Sequence, residues 1–98
     1  MYLKVHQSQK GAIVAACDEE LIGKVLEDKD AYMDLGKHRG FYAGRVCGKE
    51  ELKEALGNFI SANLVGKGPV EAAIEMGLAG KGDVRYIKKI PYIQIYRI

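Results

Sequence analysis

The sequence contains no tryptophan, only two cysteines and two prolines among 98 residues, and no dominant sign of charge: 15 basic side chains stand against 13 acidic. Each scarcity excludes something. Two cysteines cannot staple a secreted disulfide scaffold, and they lack the paired short spacings of a zinc site. No apolar run approaches the roughly 18 residues of a membrane span, and the N-terminus carries no signal-peptide pattern. The chain therefore reads as soluble, intracellular and cytoplasmic, with no membrane partner. Apolar residues make up 48% of it, too many for a disordered segment, and no repeat or low-complexity tract suggests a rod. The length fits one domain over residues 1–98, which buries roughly two-thirds of its unfolded surface without needing a metal or a disulfide.

What the chain does have is uneven charge. Its formal net charge is +2. Residues 1–36 carry −3 and residues 49–79 carry −2, whereas 37–48 carry +3 and 80–98 carry +4. All the positive excess thus belongs to two short segments. Brought together by the fold, they would make a basic face on a nearly neutral protein.

Hydropathy patterning sets the elements. Tyr2 to His6 alternates, Gly11 to Cys17 is apolar throughout, and the polar Gln7–Gly11 stretch between them predicts a hairpin with the second strand more buried. Asp18, Glu19 and Glu20 ahead of Leu21-Ile22-Gly23 predict one acid-capped helical turn. Val25-Leu26, Ala31–Leu35 and Phe41–Val46 read as short strands. Leu52, Ala55, Leu56, Phe59 and Ile60 form one apolar stripe, which predicts a helix over 49–63. A second helix is expected from Gly68-Pro69 to a Gly77 stop, with Leu78 folding back on it. Leu64 to Lys67 reads as the turn between the helices. Val84–Ile87 and Tyr92–Tyr96 read as strands, with Pro91 placing the last at a sheet edge. The class is α+β: a small mixed or antiparallel sheet, an N-terminal hairpin and two helices covering one face.

No residues assemble a catalytic set. Cys17 and Cys47 lie in apolar strand sequence without a neighbouring histidine, so both read as buried, inert thiols. His6 and His38 share no pattern with a carboxylate, and His6 falls on the solvent side of its strand. Gly66-Lys67-Gly68 and Gly80-Lys81-Gly82 do not complete a phosphate-loop spacing. A helix-turn-helix is rejected because Val70–Glu75 carries two acids and no base. Basic residues interleaved with aromatics remain: Lys37, Arg39, Tyr42 and Arg45 in one group, Arg85, Tyr86, Lys88, Lys89, Tyr92 and Arg97 in the other. Cations hold phosphates and exposed rings stack on unpaired bases. The competing reading makes the tyrosines half-buried strand residues and the lysines guards against edge pairing.

Several motifs together carry a family likeness: Cys17 to Lys24, Phe41-Tyr42 with Gly44, Ala62-Asn63-Leu64-Val65-Gly66, Val70 to Glu75 with Gly77-Leu78, then Pro91 and Gln94. In order and spacing the chain resembles the archaeal family called domain of unknown function 424, with Asp18, Glu19, Asn63, Gly66, Pro91 and Gln94 as the motif positions. The resemblance implies an archaeal cytoplasmic protein with a loose link to translation, and it implies no activity. The family pattern has histidine after the proline where this chain has Tyr92, so no catalytic role is carried to that position.

The expected function is a non-enzymatic module binding RNA or the ribosome, with no catalytic residue, cofactor or metal. The alternative is a protein-interaction adaptor or homodimer, or a translation-factor partner, using the C-terminal strand; a small enzyme comes last. Residues 37–48 and 80–98 are expected to meet in one patch.

Overall fold

The computed structural model describes residues 1–97. Eleven elements are β1 (Tyr2–Ser8), β2 (Gly11–Cys17), β3 (Val25–Glu27), β4 (Tyr32–Asp34), α1 (Arg39–Tyr42), β5 (Arg45–Val46), α2 (Lys49–Ala55), β6 (Ser61–Val65), α3 (Lys67–Glu75), β7 (Arg85–Ile87) and β8 (Ile90–Tyr96). Glu19–Leu21 and Lys81–Asp83 add single 3₁₀ turns. Six strands form a mixed sheet in the order β5-β1-β2-β6-β8-β7, and β3 with β4 makes a separate hairpin. Among the described residues the only parallel pair is β2 with β6, Ala15 opposite Asn63. The α+β class, the N-terminal hairpin and the two helices on one face are as the sequence predicts.

Alternation along the strands builds a core on each side of the sheet. On one face Leu3, Val14, Ala16, Ala62, Leu64 and Ile93 meet Leu52, Leu56 and Phe59 and the apolar side of α3. On the other, Ala15, Cys17, Val65 and Ile87 meet Leu21, Leu26, Leu35 and Tyr42, supplied by the first 3₁₀ turn, the β3–β4 hairpin and α1. Leu52 and Leu56 are fully buried, each stabilising the fold by roughly 2 kcal/mol. Glycine ends α3 as expected. Gly77 stands at φ +73, its N–H donates to the Ile74 carbonyl, and the Leu78 N–H reaches back to Ala73, which satisfies the last carbonyls of the helix.

Five local expectations fail, each because tertiary pairing outweighs local pattern. The helical stripe stops at Ala55: Phe59 packs in the same core from a loop, and residues 61–65 are a central strand, not a helix end and turn. The second helix begins at Lys67, so Pro69 is its third residue, still within the first turn where an N–H has no helical partner. Phe41 and Tyr42 are helical, because Ala43 N–H donates to the Arg39 carbonyl; only Arg45-Val46 pair as strand. Asp18 makes no side-chain cap on its own turn. Its carboxylate instead accepts the Gly68 N–H at 3.4 Å, at the start of α3. A Cβ at Gly66 (φ +104) would run into that carboxylate. Lastly, β8 lies between β6 and β7, with the Pro91 carbonyl accepting the Gly66 N–H.

Candidate nucleic-acid interface

The two basic segments do not form one patch. β5 and β7 are opposite edges of the sheet, five inter-strand steps or roughly 24 Å apart. Arg45 faces the helical side and pairs with Glu51 at 3.3 Å. Arg97 lies over the Phe59 ring at 4.2 Å, and Tyr42 is buried in the second core. Lys37 and Arg39 are exposed at the start of α1, next to the open end of the β3–β4 hairpin where the Gly23 N–H donates to the Leu35 carbonyl. His6, expected in solvent, is half-buried under α1: its ring stacks on Phe41 at 4.7 Å and its Nε2 lies 2.9 Å from the Phe41 carbonyl. Beside it Lys4 donates to the Gly40 carbonyl at 2.7 Å.

Around β7 the arrangement is different. Arg85, Tyr86, Lys88, Lys89 and Tyr92 come together there, because β7 pairs with the first half of β8 through Arg85–Tyr92, Tyr86–Pro91 and Ile87–Ile90. Lys67 and Lys81 join them from α3 and the second 3₁₀ turn. Lys67, Lys81 and Lys89 border a groove of about 420 Å³ between α3 and β7, its walls made by Val70, Ile74, Val84, Pro91 and Tyr86. Tyr86 is 63% exposed. The one acid on the groove, Glu71, faces Lys49 at 3.6 Å. Among the described residues no carboxylate lies within 4 Å of the charged groups of Lys67, Lys81, Arg85, Lys88 or Lys89. Lys67 and Lys81 are not among the residues the sequence marks as the site; both stand between two glycines, and Lys81 also falls in the basic 80–98 segment.

The turn joining β7 to β8 is strained. Lys88 and Lys89 are its two central residues, and both have positive φ, +48 and +67. Two-residue hairpin turns of this kind favour Asn-Gly, and a residue with a Cβ costs about 1–2 kcal/mol in the left-handed region. The turn is held by Asp28, whose carboxylate accepts the Lys88 N–H at 3.1 Å and the Asp30 and Ala31 N–H groups of its own loop. These bonds, the Lys88 one foremost, hold the Asp28 carboxyl below the usual carboxylate range. Strain retained at a charged turn is a pointer to function.

The remaining reactive groups are quiet. Burial pushes the Cys17 thiol up to about 12, with Asp18 and Glu20 adding to the effect, and burial also raises Cys47. Burial raises Asp18 as well, against the opposing pull of the Gly68 N–H. Among the described residues no group of three or more His, Cys, Asp or Glu could hold a metal, and no helix is long and apolar enough to cross a membrane.

These features define an α+β protein with a mixed six-stranded sheet, one ion-paired edge and one unpaired basic edge. Residues 5–98 match the model of the family described as Protein of unknown function (DUF424), and the chain belongs to that family. It is also similar in fold to a solved structure, the crystal structure of an uncharacterized conserved protein from Methanopyrus kandleri. The TM-score is 0.78 at 22% identity, over 97% of this chain and 89% of that one. No curated protein matches.

Proposed function

We propose that this protein is a cytoplasmic, non-enzymatic module that binds single-stranded RNA, free or within a ribonucleoprotein, along its β7 edge. One observation supports the reading: five basic side chains with no carboxylate within 4 Å, two of them forming the strained Lys88-Lys89 turn, gather around β7 beside an exposed tyrosine and an apolar groove. Phosphates take the cations, and a base stacks on Tyr86. Binding of this kind weakens steeply with salt, by about 0.7 in log K per log unit of salt for each phosphate held on a single strand. Filter binding of tRNA and of unstructured RNA at low salt measures it. No retention at micromolar protein ends this reading.

A second reading is favoured by a different observation. β7 covers only Ile90–Tyr92 of β8, so beyond Tyr92 one side of that strand has no paired strand among the described residues and opens on a pocket bordered by Leu78, Ala79, Gly82 and Asp83. Gln94 and Tyr96 share the parity of Tyr92, whose backbone groups face β7, so theirs face the opening. An edge of this kind accepts a further strand from a second copy or a partner. Sedimentation equilibrium gives a dimer on this reading; a strict monomer removes the homodimer form of it.

A further inference from the structure

Register places one row of side chains on the face shared with the β3–β4 hairpin: Lys4, Ala15, Asn63 and Gln94 in neighbouring strands. The next row is Tyr2, Cys17, Val65, Tyr92 and Arg85. The hairpin roofs the Val65–Ile87 part and leaves a cavity of about 210 Å³ where it meets the first row, lined by Tyr32, Tyr42, Asn63, Tyr92 and Gln94 among others. That is smaller than the roughly 300–1,000 Å³ of sites for drug-sized ligands, and suits a single planar ring system.

Its polar groups are partly spent on each other. Gln94 Nε2 donates to Asn63 Oδ1 at 2.9 Å, which fixes the two carboxamides side by side. The pair leaves the Gln94 Oε1 acceptor and the Asn63 amide donors for something else. Tyr42 is nine-tenths buried as a residue, but no buried side-chain polar atom among the described residues lacks a partner, so its unpartnered hydroxyl opens to solvent on the cavity. Tyr32, 63% exposed, offers a ring at the mouth. An adjacent donor and acceptor beside aromatic faces complement the edge and face of a nucleobase.

We infer that this cavity takes one unpaired nucleobase, read at its edge by Asn63 and Gln94 and stacked on a tyrosine. The inference rests on the RNA reading above and adds base recognition to it. The β7 edge supplies the link. Arg85 is in register with Tyr92 on this face, and the Asp28 loop of the roofing hairpin holds the Lys88 turn, so these two share one framework with the cavity. Lys67, Lys81 and Lys89 border the groove on the helical face.

Short oligo-A, oligo-C and oligo-U are the probes, titrated into the labelled protein with NMR observation of the side-chain NH2 signals of Asn63 and Gln94. One homopolymer is expected to bind about tenfold more tightly than the weakest and to shift both pairs of signals. Gln94→Ala, at an exposed position, removes that preference and leaves the salt slope unchanged. Should the lysine-edge signals move while the carboxamides stay still, or the variant keep its preference, the base site is wrong and RNA binding stands. Should no oligonucleotide bind at all, the RNA reading falls and takes this site with it.

Discussion

On β5 and α2, basic side chains are matched: Arg45 has Glu51, Lys49 has Glu71 and Glu75, and Lys53 has Glu75, all within 4 Å. At the β7 edge, Lys67, Lys81, Arg85, Lys88 and Lys89 have no such partner among the described residues. The two sides differ less in how many cations they carry than in where their field ends. An ion pair closes its field over a few ångströms, while clustered unpaired cations project theirs a Debye length into solvent, about 8 Å at physiological salt. Only the second arrangement attracts a polyanion at a distance. Backbone strain follows the same division, since the only non-glycine residues with positive φ among those described are Lys88 and Lys89.

The largest expected effect therefore comes from replacing that turn by its most stable alternative. Lys88→Asn with Lys89→Gly keeps the N–H that Asp28 accepts and suits both left-handed positions. Stability is expected to rise by about 1–2 kcal/mol, because Asn and Gly relieve most of the turn strain. RNA affinity is expected to fall about tenfold at low salt, with the salt slope shallower by about 1.4 for two lost phosphate contacts. Arg45→Gln, at the matched edge, should leave affinity within about twofold, since its charge is already paired and lies beyond a Debye length. Urea melts and filter binding on the same preparations decide it. If the turn variant gains stability and keeps its affinity, the lysines are there for solubility or edge protection and the contrast between the edges has no functional meaning.

Much of the framework was legible. The alternation of Tyr2–His6 against the unbroken apolar run to Cys17 gives the first hairpin, and Gly77-Leu78 gives the end of α3, because both are settled within a few residues. β6 was hidden for a physical reason. Phe59 and Ile60 continue the spacing of Leu52 and Leu56, and nothing local says that the chain leaves the helix at Gly57 and returns as a strand between β2 and β8. The site was legible by half. Lys88, Lys89, Arg85 and Tyr86 are neighbours in sequence, so their clustering survives any topology. Lys67 and Lys81 reach them only because β6 crosses into α3 beside β7, and Arg45 leaves them only because β5 pairs with β1. Asn63 and Gln94 stood out as motif positions, but their contact depends on the β6–β8 register.

The smallest expected effect tests the matched side. Lys49 and Lys53 are four residues apart on α2, so both point the same way and reach Glu75 of α3 at 2.8 Å each. Those two bonds, Lys49 first, depress the Glu75 carboxyl from 4.5 to about 2. A folded-state value below the unfolded one means that ionised Glu75 adds stability above pH 4.5 and that the addition is lost as pH falls through about 2. Being fully exposed, the group is screened, and its contribution is slight. Glu75→Gln should lower the urea midpoint slightly at neutral pH, with the difference from wild type shrinking below pH 4.5 and gone under about pH 2. Its RNA affinity should stay within about twofold of wild type, because Lys49 keeps Glu71 as a partner at 3.6 Å and both lysines sit on α2 rather than on the β7 edge. A midpoint difference that persists in strong acid would show that Glu75 acts through packing. A marked gain in RNA affinity would show that the matched cations also lie within reach of the nucleic acid, and the division between the two edges would have to be redrawn.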